Sequence, residues 1–468
     1  MRHRPRLAGG ERQVSPGPLS RRLAGDVRDR RPHAAPEEAR IVDLTHDGRG
    51  VTRIDDKTVF VSDALPGERV TLQRTVRRRS FDEARLVAVI EPSAERVEPG
   101  CPHFGLCGGC ALQHLSPAAQ LAFKQAQLLE NLARIGGVGP REILPPLDAS
   151  PWGYRRRARL GVKYVAKKGR VLVGFRERSA PYVADLHECR VLAAPAGELI
   201  DPLAALVQSL SIAERVAQIE IAVADNACAL VLRVLAAPGR EDLDRLAAFE
   251  RERGVRVYLQ PGGLDTVAPL SGDAPPLWYS LAEFEVKLEF LPTDFVQINA
   301  ELNARMVSRA VEQLQPAPTD SVLDLFCGIG NFSLPLARRA RRVVGVEGDA
   351  ALVERARRNA ELNRIQNAEF HAADLTASCS ALPWAVGAYD RVLIDPPRAG
   401  AKEILPLIAR SDASCVVYIS CHAGSLARDA GILVREHGFS LVSAGVMDMF
   451  PHTTHVESMA VFVRQVTK

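Results

Sequence analysis

The chain has 468 residues, of which 47% are hydrophobic and 25% charged, with a formal net charge of +4. That length suits two to four domains with sizeable cores, and the composition is that of a globular protein. No apolar run approaches the ~20 residues that span a bilayer, and the arginine-rich start has no hydrophobic segment behind it to make a secretory leader, so the expected location is the cytoplasm.

Residues 1–40 hold ten Arg against five acidic residues, which leaves the remainder close to neutral. The stretch 1–38 is rich in Arg, Pro, Gly and Ala without apolar periodicity and reads as a disordered basic tail. It is either an arm for RNA or a dispensable start. Residues 39–93 then carry short apolar runs at Ile41-Val42, Val59-Phe60-Val61, Val70-Thr71-Leu72 and Leu86-Val87-Ala88-Val89. Turn signals at Asp47-Gly48, Asp55-Asp56 and Pro66-Gly67 separate them, a pattern that predicts a small β-barrel of the kind that binds oligonucleotides.

Residues 94–290 form a β-rich central part. Cys101, Cys107 and Cys110 show C-x5-C-x2-C spacing, and Cys189 follows in His187-Glu188-Cys189. Four thiolates hold either zinc or an iron–sulfur cluster, and a single C-x2-C knuckle with two outlying cysteines leans towards the cluster. The spacing is not the C-x3-C-x2-C of radical enzymes, so the role expected for it is structural. A helix is predicted from Pro117 to about Arg134, with Leu121, Leu128, Leu129 and Leu132 on a helical period. Two basic groups stand out as RNA contacts: Arg74, Arg77, Arg78, Arg79 and Arg85, and Arg155, Arg156, Arg157, Arg159, Lys163, Lys167, Lys168 and Arg170. On a strand, Arg155, Arg157 and Arg159 would share one face.

From 291 to 468 the pattern becomes alternating strand and helix. Strands are predicted at 321–326, 342–346, 368–371, 390–394, 415–419, 439–443 and 459–463, with a helix over 349–363. This is an α/β, doubly wound parallel sheet, in which ligands bind at the carboxyl ends of the strands. Phe326-Cys327-Gly328-Ile329-Gly330-Asn331 is a glycine turn between strand and helix. Glu347 ends the next strand, placed for ribose hydroxyls, and Asp374 follows a third strand, placed for the adenine edge. One nucleoside is provided for, which favours S-adenosylmethionine over a dinucleotide. Asp395-Pro396-Pro397-Arg398 is a rigid loop that holds Asp395 at the same rim, and Cys421 ends the run Cys415–Ile419 there. Cys228, Cys379 and Cys415 read as small buried residues, and Cys327 as filling space in the turn. A methyl donor beside a cysteine nucleophile suits methylation of a carbon that must first be activated, with a pyrimidine ring the obvious substrate.

Taken together, Asp324–Phe332, Asp395-Pro396-Pro397-Arg398-Ala399-Gly400, Ile419-Ser420-Cys421-His422 and His455-Val456-Glu457-Ser458 resemble the RNA (uracil-5-)-methyltransferase family. The C-x5-C-x2-C…C set and a barrel that resembles a TRAM domain point to its 23S ribosomal RNA branch. The resemblance runs from about residue 40 to the end. It implies that Cys421 is the nucleophile and Glu457 the base. It further implies that Gln297, Phe326, Asn331, Glu347, Asp374 and Asp395 bind S-adenosylmethionine or border the substrate. Cys101, Cys107, Cys110 and Cys189 match the ligands of a [4Fe-4S] cluster, and part of 113–144 is expected to pack on the catalytic domain. The implied partner is 23S rRNA, with uridine 1939 in a looped or single-stranded segment flipped out of its stack, acted on by a monomer.

Uracil C5 is a weak nucleophile. A thiolate that adds to C6 gives C5 carbanion character, and a carboxylate must then remove the C5 proton. Three other readings compete. A tRNA or second 23S uridine enzyme would lack the cysteine set or the barrel. A cytosine enzyme would be expected to carry a cysteine where Asp395-Pro396-Pro397 stands. A non-enzymatic rRNA-binding assembly factor would need neither Cys421 nor Glu457.

Overall fold

A computed structural model of the protein describes residues 35–272, 274–377 and 382–464; residues 1–34 and Cys379 lie outside them. The N-terminal sheet contains β1 (Glu37–Arg40), β2 (Asp43–Leu44), β3 (Gly50–Ile54), β4 (Lys57–Ser62), β5 (Arg69–Arg77) and β6 (Phe81–Glu91), in the order β1-β5-β6-β4-β3-β2. Val42 N–H donates to Val51 O (2.8 Å) and the Thr52 hydroxyl to Arg40 O (2.7 Å), curling the sheet around Ile41, Val59, Val61, Val70 and Leu72. Asp55 and Asp56 both take positive φ (51° and 61°), as a tight β3–β4 hairpin requires. The first strand begins inside the stretch expected as tail, because Glu37 and Glu38 have partners: Arg74 at 2.8 Å and Arg69 at 3.0 Å.

That pairing corrects the first basic group. Arg74 is only 10% exposed and also bonds Asp82 at 2.9 Å, so it holds the barrel together and is not available to RNA. Arg85 donates to Gln73 Oε1. Arg77, Arg78 and Arg79 are exposed at the end of the β5–β6 hairpin.

After the cysteine loop, α1 (Pro117–Asn131) and β7 (Glu142–Ile143) leave for the C-terminal sheet, where β7 forms an edge. Ser116 caps α1 by accepting from Ala119 N–H, and Pro117 stands at its first turn. The most buried line of α1 is Gln120, Lys124 and Leu128: of the expected apolar period, Leu128 and Leu132 are fully buried and Leu121 and Leu129 half-buried, while two polar residues take the other inner positions.

The central sheet contains β8 (Arg157–Val165), β9 (Arg170–Gly174), β10 (Val216–Val223), β11 (Cys228–Val234), β12 (Arg256–Gln260) and β13 (Ala268–Pro269), with α2 (Ile200–Ser209) and α3 (Arg240–Arg253) packed on it. On β8, Ala158, Leu160 and Val162 point inward while Arg159 and Lys163 are exposed, the alternation of a half-buried strand. Arg155 is not part of that face. It precedes the strand and bridges Leu192 and Asn299. Arg159 pairs with Glu220 at 2.9 Å and Arg156 with Asp225 at 2.5 Å.

The hairpin β14 (Leu277–Leu281) and β15 (Val286–Phe290) docks on the C-terminal lobe. Asn363 accepts from Lys287 N–H and Asn359 from Glu289 N–H, both at 2.8 Å, and each amide donates back to the same strand. The lobe itself comprises α4 (Ala300–Leu314), β16 (Ser321–Leu325), α5 (Ser333–Ala337), β17 (Arg342–Glu347), α6 (Ala350–Leu362), β18 (Ala368–Ala372), β19 (Arg391–Ile394), α7 (Leu405–Arg410), β20 (Cys415–Ser420), α8 (Ala423–Glu436), β21 (Phe439–Met447) and β22 (Glu457–Arg464). Its order is β18-β17-β16-β19-β20-β22-β21-β7. Alternate residues feed two cores, Val417 and Ile419 on one face, Val416 and Tyr418 on the other. That is why these strands read as unbroken apolar runs.

The sheet is not parallel throughout. β16 to β20 are, but β22 runs antiparallel between β20 and β21. The reversal has a consequence for the site, because it brings the first residue of β22 to the rim where the parallel strands end.

Candidate active site

The glycine turn leaves β16 through Phe326, whose φ of 65° is rare for a non-glycine residue. Phe326 and Cys327 N–H both donate to Val346 O, at 2.8 and 3.1 Å. Gly330 has φ 96°, and a Cβ there would sit 3.1 Å from Leu334. Glu347, ending the neighbouring β17, accepts from Gly328 N–H (3.0 Å) with one oxygen and from Gly348 and Asp349 N–H with the other. Two adjacent strand ends are thus tied into one cradle. Asn331 is held by Tyr279 (2.9 Å) and by a reciprocal pair of bonds with Asn303 (2.9 Å each). Asp374 lies exposed beyond β18, accepting from Thr376 N–H and hydroxyl.

Beneath this cradle is Asp324, fully buried in β16, bonded through one oxygen to the Ser333 hydroxyl while the other has no partner among the described residues. Burial raises its pKa to about 8, with Asp395 and Glu347 adding to the effect. Sequence reading passed over it, although a lone carboxylate within Val322–Phe326 was the available signal. Tyr279 and Asn303 were also missed; neither carries a local sequence mark.

Across the rim, Asp395 follows β19 and accepts from Gln297 Nε2 at 3.4 Å. Burial, then the charge of Glu347, raises its pKa to about 7. Cys421 stands one residue past β20, before His422, whose Nδ1 accepts from Ser425 N–H to cap α8. The last pair of the β20–β22 ladder is Ser420 with Ser458, so continuing the register sets Cys421 against Glu457. Burial first, then the charges of Glu457 and Asp395, push the Cys421 thiol up to about 11, with Arg398 opposing them. Burial and Asp395 likewise hold the Glu457 carboxyl well above the usual carboxylate range. Thiol, acid and a carboxylate-lined cradle therefore share one rim. The site suits a cationic nucleoside cofactor beside a nucleophile–base pair.

The four cysteines of the other set line a single cavity of about 100 Å³, with Gln113, Trp152 and Arg155 among its walls. Backbone contacts shape it: Cys107 bridges Glu177, Cys101 N–H donates to Gln113 Oε1 (3.0 Å) and Cys189 N–H to Gly197 O (2.9 Å). Among the described residues, no group of three or more His, Cys, Asp or Glu side chains is arranged to hold a metal ion. Cys228, Cys327 and Cys415 are buried.

Fold and site define an S-adenosylmethionine-dependent RNA methyltransferase. The family described as tRNA (Uracil-5-)-methyltransferase matches residues 279–465, a span that begins in the docked hairpin. The chain is 53% identical over 439 residues to the 23S rRNA (uracil(1939)-C(5))-methyltransferase RlmD of Alkalilimnicola ehrlichii, covering 94% of this chain and 99% of the relative. It is 50% identical over 433 residues to the protein of the same name from Xanthomonas axonopodis pv. citri, covering 92% and 98%. Among solved structures it resembles the Pyrococcus abyssi tRNA (uracil-54, C5)-methyltransferase in complex with S-adenosyl-L-homocysteine, with TM-score 0.71 and 25% identity over 91% of this chain and 99% of that one. The chain belongs to the 23S rRNA (uracil-C5)-methyltransferase family. No helix among the described residues is long and apolar enough to cross a membrane.

Proposed function

We propose that the protein methylates C5 of a uridine in 23S rRNA, the uracil 1939 in its relatives' names, to give 5-methyluridine. The observation that carries the reading is the β20–β22 register, which sets Cys421 against Glu457 at the cofactor rim. S-adenosylmethionine, when bound, supplies the electrophilic methyl group. Glu347 takes the ribose hydroxyls and Asp374 the adenine edge, while Phe326 and Asn331 line the cradle. Gln297 and Asp395, bonded to each other, face the reacting centre.

The target uridine leaves its stack to reach this rim. Cys421 Sγ, as the thiolate, adds to C6, and the electron pair displaced to C5 attacks the methyl carbon, whose bond to the sulfonium sulfur breaks so that S-adenosylhomocysteine leaves. Glu457 then takes the C5 proton, the C5–C6 double bond re-forms and the C6–S bond breaks, returning Cys421 as thiolate. Cys101, Cys107, Cys110 and Cys189 would hold a [4Fe-4S] cluster whose part is to cross-link the loop. The protein acts as a monomer in the cytoplasm.

The test is to map 5-methyluridine in rRNA and tRNA from cells lacking this gene. One 23S site should lose its mark, and wild-type protein but not Cys421→Ala should restore it. Marks unchanged at every 23S site, or a mark that vanishes from tRNA instead, refute the reading.

A further inference from the structure

Glu457 is reached through residues 448–456, which connect β21 to β22, and the barrel, the cysteine loop and α1 all meet on that connection. From the barrel, the turn at Gly48 approaches so closely that a Cβ there would lie 3.1 Å from the Thr454 side chain. From the cysteine loop, Ala111 and Leu112 N–H both donate to His452 O at 2.9 Å. The Trp152 and His452 rings pack with centroids 4.2 Å apart and planes tilted by 37°, and the Tyr154 hydroxyl donates to Pro451 O at 3.0 Å. His452 itself takes φ 66°, a conformation that persists only where its surroundings impose it.

Helix α1 supplies the deepest of these contacts. Gln120 accepts from His452 N–H at 2.9 Å and donates to Leu112 O and Leu115 O at 3.0 and 2.8 Å, so one amide joins the cysteine loop to the connection. One turn on, Lys124 is fully buried and donates to Asp448 Oδ1 (2.6 Å) and Phe450 O (3.0 Å). A buried lysine is costly and is tolerated only when paired. Here its partners are all on the connection, and none is on the sheet that α1 covers.

We propose that Gln120 and Lys124 are positioning residues for Glu457: by fixing the 448–456 connection they aim its carboxylate at the C5 proton of the methylated adduct. The inference rests on the reading of Glu457 as the base. The step served is the last one, in which Glu457 takes the proton from C5, the double bond re-forms and the C6–S bond to Cys421 breaks. Addition and methyl transfer depend on Cys421 and the β16–β17 cradle, to which the side chains of Gln120 and Lys124 make no hydrogen bond among the described residues.

Full-length Gln120→Met is compared with wild type and Glu457→Gln, using a 23S rRNA fragment and S-adenosylmethionine with a labelled methyl group. Lys124→Met with Asp448→Asn, which leaves no lone buried charge, serves as a second variant. Misplacing a catalytic group by about 1 Å costs on the order of 10²-fold. Turnover by either variant should thus fall by roughly tenfold or more, with single-turnover methyl transfer within about threefold of wild type. Labelled RNA should accumulate on the protein as an adduct that survives denaturing electrophoresis. A purely structural role would lower the melting temperature and the active fraction without trapping adduct, and that result overturns the inference. So does normal turnover by both folded variants. If Glu457→Gln turns over without trapped RNA, the reading of the base itself fails.

Discussion

Cys421 reacts only as a thiolate, and its surroundings oppose that form. With burial, Glu457 and Asp395 holding its pKa at about 11, the thiolate fraction at pH 7 is about one in 10⁴. An unperturbed cysteine, with pKa near ~8.5, would have about one in thirty. Alkylation of Cys421 by iodoacetamide in the ligand-free protein, followed by peptide mass spectrometry, should therefore accelerate about tenfold per pH unit from pH 7 to 10, without a plateau. Asp395 has a pKa of about 7, so it is charged through most of that window. Asp395→Asn removes a negative neighbour and should move the profile to lower pH by about one unit. A cationic cofactor analogue should act in the same direction, because it brings a positive charge to the same rim, and S-adenosylhomocysteine, which lacks that charge, should not. A plateau below pH 9, or a profile unmoved by Asp395→Asn, would refute this account of the thiol.

Asp324 is raised in the folded protein to about 8 from an ordinary 3.8, so its contribution is present below pH ~4 and is lost as pH rises to ~8. The melting temperature of Asp324→Asn should thus gain on wild type across that window and then run parallel to it; parallel curves from pH 4 onward would contradict the assignment. Deleting residues 1–38 should destabilise the protein more than deleting 1–34, because only the longer deletion removes Glu37 from the largely buried Arg74; equal denaturant midpoints would count against it. Protein purified without oxygen should be brown and contain iron, and Cys107→Ser should lose both the colour and folding stability. Zinc in place of iron would end that proposal.

What was legible in the sequence was whatever is fixed by neighbours along the chain. The strands β16 to β20 stand within a residue or two of their expected positions, since apolar runs ending in Gly328, Glu347 or Asp395 mark both a buried strand and its rim. For the same reason Cys421 could be placed at the carboxyl end of β20 before any contact was known. Strand direction was not legible, because an apolar run reads the same either way. The antiparallel insertion of β22, on which the placement of Glu457 depends, appears only in the ladder pairing Ser420 with Ser458. Polar residues were the hardest, since their meaning lies with partners far away in sequence. Arg74 looked like a phosphate contact until Glu37 and Asp82 were found against it. Gln120 and Lys124 had no place in the expected apolar period, yet they lie on the most buried line of α1 because the surface it covers includes the His452 N–H, the Phe450 carbonyl and the Asp448 carboxylate of a connection more than three hundred residues on. An apolar stripe would have left those groups unpaired at a cost of about 1–3 kcal/mol each. The hydrophobic pattern of α1 is therefore broken at the two positions through which the N-terminal parts of the chain reach Glu457.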